Sequence, residues 1–315
     1  MAVDEQGDKR VATDRINVRG ISTRYLLKKN GGTPIVFVNG FGLDLSCWNS
    51  QIDYFSSMQT VLAYDWRGMG GTGGLRKTYT VGDLATDLNL LLEEVGIKNP
   101  IICGHSMGGM IAMQYAVTFY DSYSALVLVD TALTNWKQAF SNVLGSEAIE
   151  FFLHVQPKFL HWKDKILLRL MAPSVMRQIY DSDFVENNPA FITRAENDFV
   201  DNNTMRGLGL AFMAMGLREQ VAPELDTVKV PALLVWGNKD TIFSRQEIED
   251  IQKAFVKTSG DGDFTEEDFP QNQTVTDNAW LNGPPLKVIK DAAHMCFQEK
   301  PREFNEIVGD FLKSL

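Results

Sequence analysis

A Gly-x-Ser-x-Gly sequence at residues 104–108 stands between a short apolar run and an amphipathic segment. The run at 99–103 predicts a buried strand, and residues 110–119 are typical of a helix. A serine on such a strand-to-helix turn takes a strained backbone conformation that only neighbours without side chains tolerate. Gly104 and Gly108 would remove the clash, so the pattern predicts that the Ser106 hydroxyl projects from the sheet. A glycine-rich turn that merely lets a helix pack closely on a strand is the alternative.

Two downstream residues favour the interpretation of Ser106 as a nucleophile. A serine hydroxyl needs a base to take its proton, and that base needs an acceptor to orient it. Of the four histidines, His294 follows a β-like run at 286–290, and Asp240 follows another strand and turn. The order Ser106, Asp240, His294 therefore places each residue just beyond the end of a predicted strand. Asp130, after the sixth strand, is the rival acid, and the Gly-Asn-Lys-Asp context favours Asp240.

Two further segments complete a pattern that extends over nearly the whole core. Phe-Val-Asn-Gly-Phe-Gly at 37–42 follows the third strand, and Asp-Trp-Arg-Gly-Met-Gly at 65–70 follows the fourth. With these segments the chain resembles the α/β-hydrolase superfamily, in the branch of small esterases, enol-lactonases and cofactor-free haloperoxidases. The resemblance implies an oxyanion hole formed by the backbone N–H groups of Phe41 and Met107. Asn39 departs from the histidine that is usual in the family, and Thr72 departs from a common serine.

The resemblance implies a serine hydrolase that cleaves a carboxylic ester or lactone through an acyl-enzyme. Ser106 would attack the acyl carbon, His294 would accept its proton, and Asp240 would hold the imidazole in the right tautomer. This chemistry requires no metal and no organic cofactor. Serine at this position argues against the dehalogenase and epoxide hydrolase branches, which use aspartate there. Hydrolysis of thioesters or carbon–carbon bonds stays open, as does a weakly hydrolytic ligand-binding or signalling receptor of the same fold.

Composition limits the partners and the compartment. The net charge of −10 argues against electrostatic binding of nucleic acid or of an anionic membrane. The first ten residues contain no apolar stretch suited to a signal peptide, and no apolar run reaches membrane-spanning length. The three widely separated cysteines imply no disulfide framework. We therefore expect a cytoplasmic protein, monomeric or homodimeric, that acts on a small-molecule ester or lactone.

The rhythm of apolar runs divides the chain into a core and an insertion. Strands and helices alternate over 11–130 and 225–315, which predicts an α/β fold with a mostly parallel, doubly wound sheet. The family resemblance implies that this sheet has eight strands. Residues 131–224 are helical in pattern, and the resemblance implies a cap, or lid, inserted after strand 6 that supplies an apolar acyl or ring pocket. The predicted helices of this insertion span 146–155, 163–171, 189–200 and 204–218.

The insertion offers few obvious partners for a strongly charged substrate, which favours an uncharged or weakly anionic ester or lactone. The candidate partners for a stronger charge are Arg169, Arg177, Arg194, Arg206 and Arg218. We interpret His154 and His161 as exposed or satisfied histidines rather than as metal ligands, and we expect no metal site.

Outside the insertion, one segment is unusual and two are regular. Residues 258–285 are acidic, lack lysine and arginine, and predict an insertion within the core that is mobile or functional. Thr80 with Asp83 and Ser244 with Glu247 each predict a capping box at the start of a helix.

Overall fold

The computed structural model describes residues 12–133, 164–216, 218, 221–256 and 283–315. This part of the chain contains one sheet whose strands are β1 (Asp14–Val18), β2 (Ile21–Lys28), β3 (Ile35–Val38), β4 (Val61–Tyr64), β5 (Ile101–His105), β6 (Ala125–Val129), β7 (Ala232–Gly237) and β8 (Leu286–Ile289). Their order is β1-β2-β4-β3-β5-β6-β7-β8. The pairs β1–β2 and β2–β4 are antiparallel, and the other neighbouring strands are parallel. The prediction of an eight-stranded, mostly parallel sheet is thereby confirmed.

Ten helices of the described residues lie between the strands or after the last strand. They are α1 (Asn49–Phe55), α2 (Val81–Val95), α3 (Met107–Thr118), α4 (Asp164–Ile179), α5 (Ser182–Asn187), α6 (Pro189–Asn202), α7 (Met205–Gly216), α8 (Arg245–Ala254), α9 (Cys296–Glu299) and α10 (Pro301–Lys313). Helices α4 to α7 all lie between β6 and β7 in the chain. Within the described residues, no helix combines the length and the hydrophobicity needed to cross a bilayer.

The central strands are apolar because both faces of the sheet are covered. Every residue of β3, β4, β5, β6 and β7 is buried. Helix α1 packs against α10, whereas α2 packs against α3, so the helices form separate groups. Near-continuous runs of valine, isoleucine and leucine are expected in strands that are covered on both faces. The doubly wound arrangement predicted from the sequence is therefore present.

The helix starts show how local sequence places the elements. Thr80 and Asp83 exchange hydrogen bonds at the start of α2, and Ser244 and Glu247 do so at the start of α8. Each pair satisfies backbone N–H groups that have no acceptor inside the helix. Both predicted capping boxes are confirmed.

Several helix boundaries differ from those that the pattern predicts. Helix α3 begins three residues earlier than expected, at Met107, and α4 continues past Pro173 to Ile179. The sequence pattern does not predict helices α5, α9 and α10. The predicted helix at 146–155, with His154 and His161, lies outside the described residues, as does the acidic segment from 258 to 282.

Candidate active site

The residues singled out in the sequence meet at one edge of the sheet. Strands β3, β5, β6, β7 and β8 run parallel, so their carboxyl ends lie side by side. Ser106 follows β5, Asp130 follows β6, Asp240 lies three residues beyond β7, and His294 lies in the loop after β8. Ligands of open parallel sheets bind beyond this edge, and polar side chains converge here.

Ser106 occupies a strained turn between β5 and α3. Its backbone angles are φ 53° and ψ −120°, which non-glycine residues rarely adopt and which cost about 1–3 kcal/mol. A Cβ on Gly104 would lie 2.3 Å from the Gly108 carbonyl oxygen, and one on Gly108 would lie 2.1 Å from that of Val38. Both neighbours must therefore be glycine. The turn has the form of a nucleophile elbow, as the sequence pattern predicts.

Asp240 and His294 form a buried hydrogen-bonded pair. The His294 Nδ1 lies 2.9 Å from Asp240 Oδ2. His294 is 5% exposed, and Asp240 is 8% exposed. Asp240 Oδ1 accepts the backbone N–H groups of Ile242 at 2.7 Å and Phe243 at 3.2 Å. Because these donors fix the carboxylate, it presents its other oxygen to the histidine. The remaining ring nitrogen of His294, Nε2, is then available for a second partner.

His105, adjacent to Ser106 in sequence, holds the main chain of His294. Its Nε2 lies 2.8 Å from the His294 carbonyl oxygen, and the two rings are 4.7 Å apart. Burial lowers the pKa of His105 well below its usual value, and the nearby His294 lowers it further. A neutral imidazole that donates Nε2–H to this carbonyl accounts for both observations. His105 is thus a structural neighbour of the candidate base.

Asp130, the alternative acid, bonds to the backbone of β7. Its Oδ1 accepts the backbone N–H of Gly237 at 2.8 Å, and the residue is fully buried. Burial raises the pKa of Asp130 well above its usual value, and the charge of Asp240 raises it further. A neutral carboxyl group is the form this environment favours. Between the two acids, the geometry pairs Asp240 with the imidazole.

The loop after β3 passes directly against the candidate nucleophile. A Cβ on Gly40 would lie 2.8 Å from His105 Nδ1 and 3.1 Å from Ser106 Cβ, so a side chain there would force these neighbours to shift. Asn39 Nδ2 donates to the Leu43 carbonyl oxygen at 2.6 Å and so closes this loop on itself. The residue that departs from the family pattern therefore makes a hydrogen bond within the loop that contains Phe41.

The other predicted oxyanion donor, Met107, is the first residue of α3 and is fully buried. Backbone N–H groups in the first turn have no acceptor inside their helix, and they form the positive end of its dipole.

A cavity with an empty volume of about 810 Å³, counting its open mouth, lies above Ser106. Its lining is apolar apart from Ser106, His105 and His294. The described residues that complete it are Phe41, Gly42, Leu43, Met171, Val175, Met176, Ile179, Phe199, Leu208, Phe212, Ile242 and Met295. None of the five arginines named above belongs to this set. Arg218, for example, donates instead to the carbonyl oxygens of Ala132 at 2.9 Å and Leu133 at 2.7 Å.

Glu299 is a neighbour of the site that the sequence did not single out. Its carboxylate accepts the backbone N–H of Ala293 at 3.0 Å, and burial raises its pKa to about 7. The one available signal is its position, five residues after His294. Its partners are backbone groups, which no side-chain pattern reveals.

Comparison with known proteins places this geometry in context. The model of the α/β hydrolase fold family matches residues 33–301. 3-Oxoadipate enol-lactonase 2 of Acinetobacter baylyi is 24% identical over 307 residues, which cover 95% of this chain and 96% of the relative. The crystal structure of the enol-lactonase from Burkholderia xenovorans LB400 superposes with a TM-score of 0.71 at 22% identity, covering 95% of this chain and 100% of that chain. A thermophilic esterase from Thermogutta terrifontis gives a TM-score of 0.72 at 22% identity, with 96% and 98% covered.

Proposed function

The chain belongs to the α/β-hydrolase family, and from this premise we propose that it is a serine hydrolase of carboxylic esters or lactones. The observation that carries the proposal is the 2.9 Å contact between His294 and Asp240 beside the cavity that the Ser106 elbow faces. In this proposal, three adjacent loops supply the nucleophile, the base and the orienting acid. The enol-lactonase and esterase among the similar proteins support ester bonds as the target.

The proposed reaction proceeds through an acyl-enzyme. Ser106 Oγ bonds to the acyl carbon as its proton passes to His294 Nε2, and the protonated imidazole then gives that proton to the leaving oxygen. Water, deprotonated by the same nitrogen, then attacks the acyl carbon; the acyl–Oγ bond breaks, the imidazolium returns the proton to Ser106 Oγ, and the carboxylic acid leaves. Asp240 keeps the His294 proton on Nδ1 during these transfers.

Two backbone donors stabilise the developing oxyanion in this proposal. The N–H groups of Phe41 and Met107 are the candidates, each worth about 3 kcal/mol in the transition state. The close approach of Gly40 to Ser106 and the position of Met107 at the start of α3 support this role. The positive end of the helix favours the same charge.

The substrate class follows from the cavity wall. We infer that residues 131–224 act as a cap, because Met171, Val175, Met176 and Ile179 line the cavity from one face of α4. Residues spaced by four along a helix share a face. An apolar acyl or ring group with no full charge fits such a wall best.

The test is turnover on a panel of p-nitrophenyl esters of increasing acyl length and of neutral and carboxylate-bearing lactones. We expect hydrolysis of the neutral members, loss of activity in Ser106→Ala, and labelling of wild type but not of Ser106→Ala by a fluorophosphonate. Hydrolysis that persists in Ser106→Ala would contradict the covalent mechanism. Tight binding of these compounds with no product would instead favour a ligand-binding receptor, and cleavage of thioesters or β-diketones alone would favour those reaction classes.

A further inference from the structure

The junction between α4 and α5 contacts both loops that contain the acid and the base. Ile179 is the last residue of α4 and lines the cavity. Its carbonyl oxygen accepts the backbone N–H of Met295 at 3.1 Å. The backbone carbonyl oxygen of Gln178 accepts a hydrogen bond from the Thr241 hydroxyl at 3.4 Å. Met295 follows His294, and Thr241 follows Asp240. The end of α4 is therefore hydrogen-bonded to both loops, in each case one residue after the candidate acid or base.

The buried carboxylate of Glu299 connects this junction with the loop that contains His294. Glu299 Oε1 accepts the backbone N–H of Ala293 at 3.0 Å, and its Oε2 accepts that of Asp181 at 3.3 Å. Ala293 immediately precedes His294, and Asp181 caps α5. Glu299 is only 7% exposed, so water does not readily replace either bond. One side chain thus connects the base loop with the helices that line the cavity.

Neighbouring contacts strengthen the same connection. The Lys239 ammonium, adjacent to Asp240, lies 3.0 Å from the Asp181 carboxylate. The Tyr180 hydroxyl donates to the side-chain oxygen of Gln298. Both contacts join the α4–α5 junction to the acid loop or to α9.

We propose that Glu299 is a positioning residue whose carboxylate holds the base loop and the α4–α5 junction in the one arrangement in which His294 faces a substrate bound against α4. The inference rests on the proposed function, because it assigns His294 as the base. It concerns geometry around the base and adds no group that contacts substrate.

The electrostatic surroundings make this connection sensitive to pH. Burial raises the pKa of Glu299 to about 7, while the N–H groups of Ala293 and Asp181 oppose the shift. The charge of Asp181 raises the pKa and that of Lys300 lowers it. The other titratable groups that interact with Glu299 are Asp130 after β6, Tyr180 at the junction and Cys296 in α9.

Protonation and amide substitution have the same effect on this hydrogen-bond pair. A carboxylate offers an acceptor to each of the two N–H groups, whereas a protonated carboxyl or a glutamine amide offers one good acceptor oxygen. The other N–H then faces a donor and loses its partner. Glu299→Gln therefore reproduces the protonated state of the wild-type residue at every pH.

The experiment compares Glu299→Gln with wild type and with Glu303→Gln, a control that removes an exposed carboxylate four residues further on. Active sites are counted with a fluorophosphonate, and kcat/KM for p-nitrophenyl butyrate is measured from pH 5.5 to pH 8.5. We expect kcat/KM of Glu299→Gln to be about tenfold below wild type at pH 8.5 and within about twofold at pH 5.5, with the midpoint near pH 7. A ratio that does not change with pH would overturn the proposal, because a merely structural role lowers activity equally at all pH values.

A second measurement does not depend on catalysis. Hydrogen exchange of peptides spanning 178–184 and 290–295 is followed at pH 8.5, and we expect faster exchange in Glu299→Gln than in wild type or Glu303→Gln. In wild type, the protection of these peptides, corrected for intrinsic exchange, should fall as pH decreases through 7. This wild-type measurement tests the proposal even if Glu299→Gln does not fold. Unchanged protection would overturn the proposal, whereas absence of any wild-type hydrolysis would count only against the proposed function.

Discussion

Replacing Asp240 with asparagine tests the assignment of the acid most sharply, because the structure dictates how the amide must sit. Oδ1 of Asp240 accepts two backbone N–H groups, from Ile242 and Phe243. In Asp240→Asn the amide oxygen must take this position, so the NH₂ group points at His294 Nδ1. The imidazole then carries its proton on Nε2 and cannot accept one from Ser106.

The expected loss follows from this tautomer. A base held in the wrong tautomer costs about 10⁴ in kcat, or about 5 kcal/mol at 1.36 kcal/mol per factor of ten. Asp130→Asn is the matched control, because Asp130 is also buried, accepts the backbone N–H of Gly237, and is favoured in its neutral form. We expect kcat of Asp130→Asn to fall less than about fivefold.

The assay is the steady-state kcat for p-nitrophenyl butyrate at pH 8, with melting temperatures recorded for both variants. Retention of more than about a tenth of wild-type kcat in Asp240→Asn would refute the tautomer argument. A loss in Asp130→Asn as large as that in Asp240→Asn would transfer the role of the acid to Asp130.

Two further predictions concern stability. Gly108→Ala places a Cβ 2.1 Å from a backbone carbonyl oxygen of β3, so we expect the free energy of unfolding in urea to fall by at least about 3 kcal/mol. Gly73→Ala, with nothing within 4 Å of its Cβ, should change it by less than about 1 kcal/mol, and equal effects would contradict the packing argument. Because burial raises the pKa of Glu299 from 4.5 to about 7, the folded protein favours the protonated form. Folding therefore gains from protonation of Glu299, and this gain is present below pH 4.5 and lost as pH rises through 7. Over this range we expect the free energy of unfolding of wild type to fall by about 2 kcal/mol, after discounting for solvent, and that of Glu299→Gln not to show this fall. The hydrogen bonds from Ala293 and Asp181, which order the base loop around the ionised carboxylate, lower the pKa and so only reduce this loss. Parallel stability curves for the two proteins would contradict this.

Local signals in the sequence predicted the parts of the site that depend on chain-adjacent residues. The elbow needs glycine on either side of Ser106, and the positions of Asp240 and His294 depend on strand ends, which periodicity reveals. The capping residues Thr80 and Ser244 likewise act within four residues of themselves. Such features were predictable because cause and effect lie within one short segment.

Features that depend on tertiary packing were not predictable in the same way. The glycines after Ser106 suggest a turn, yet α3 already begins at Met107, since Gly108 permits close contact with β3. Pro173 normally interrupts a helix, yet α4 continues through it, with residues on both sides of the proline in the cavity wall. Glu299 joins segments that are more than a hundred residues apart, and its partners are backbone N–H groups.

If Ser106 is the nucleophile, as we propose, its φ of 53° makes stability and activity favour different residues at this position. Glycine adopts this conformation without strain, so Ser106→Gly relieves a cost of about 1–3 kcal/mol while it removes the hydroxyl. Under the proposed mechanism, laboratory evolution that selects only for heat resistance would therefore favour glycine at position 106 and yield a stable but inactive protein. Selection has to include turnover if thermostable variants are to keep this serine.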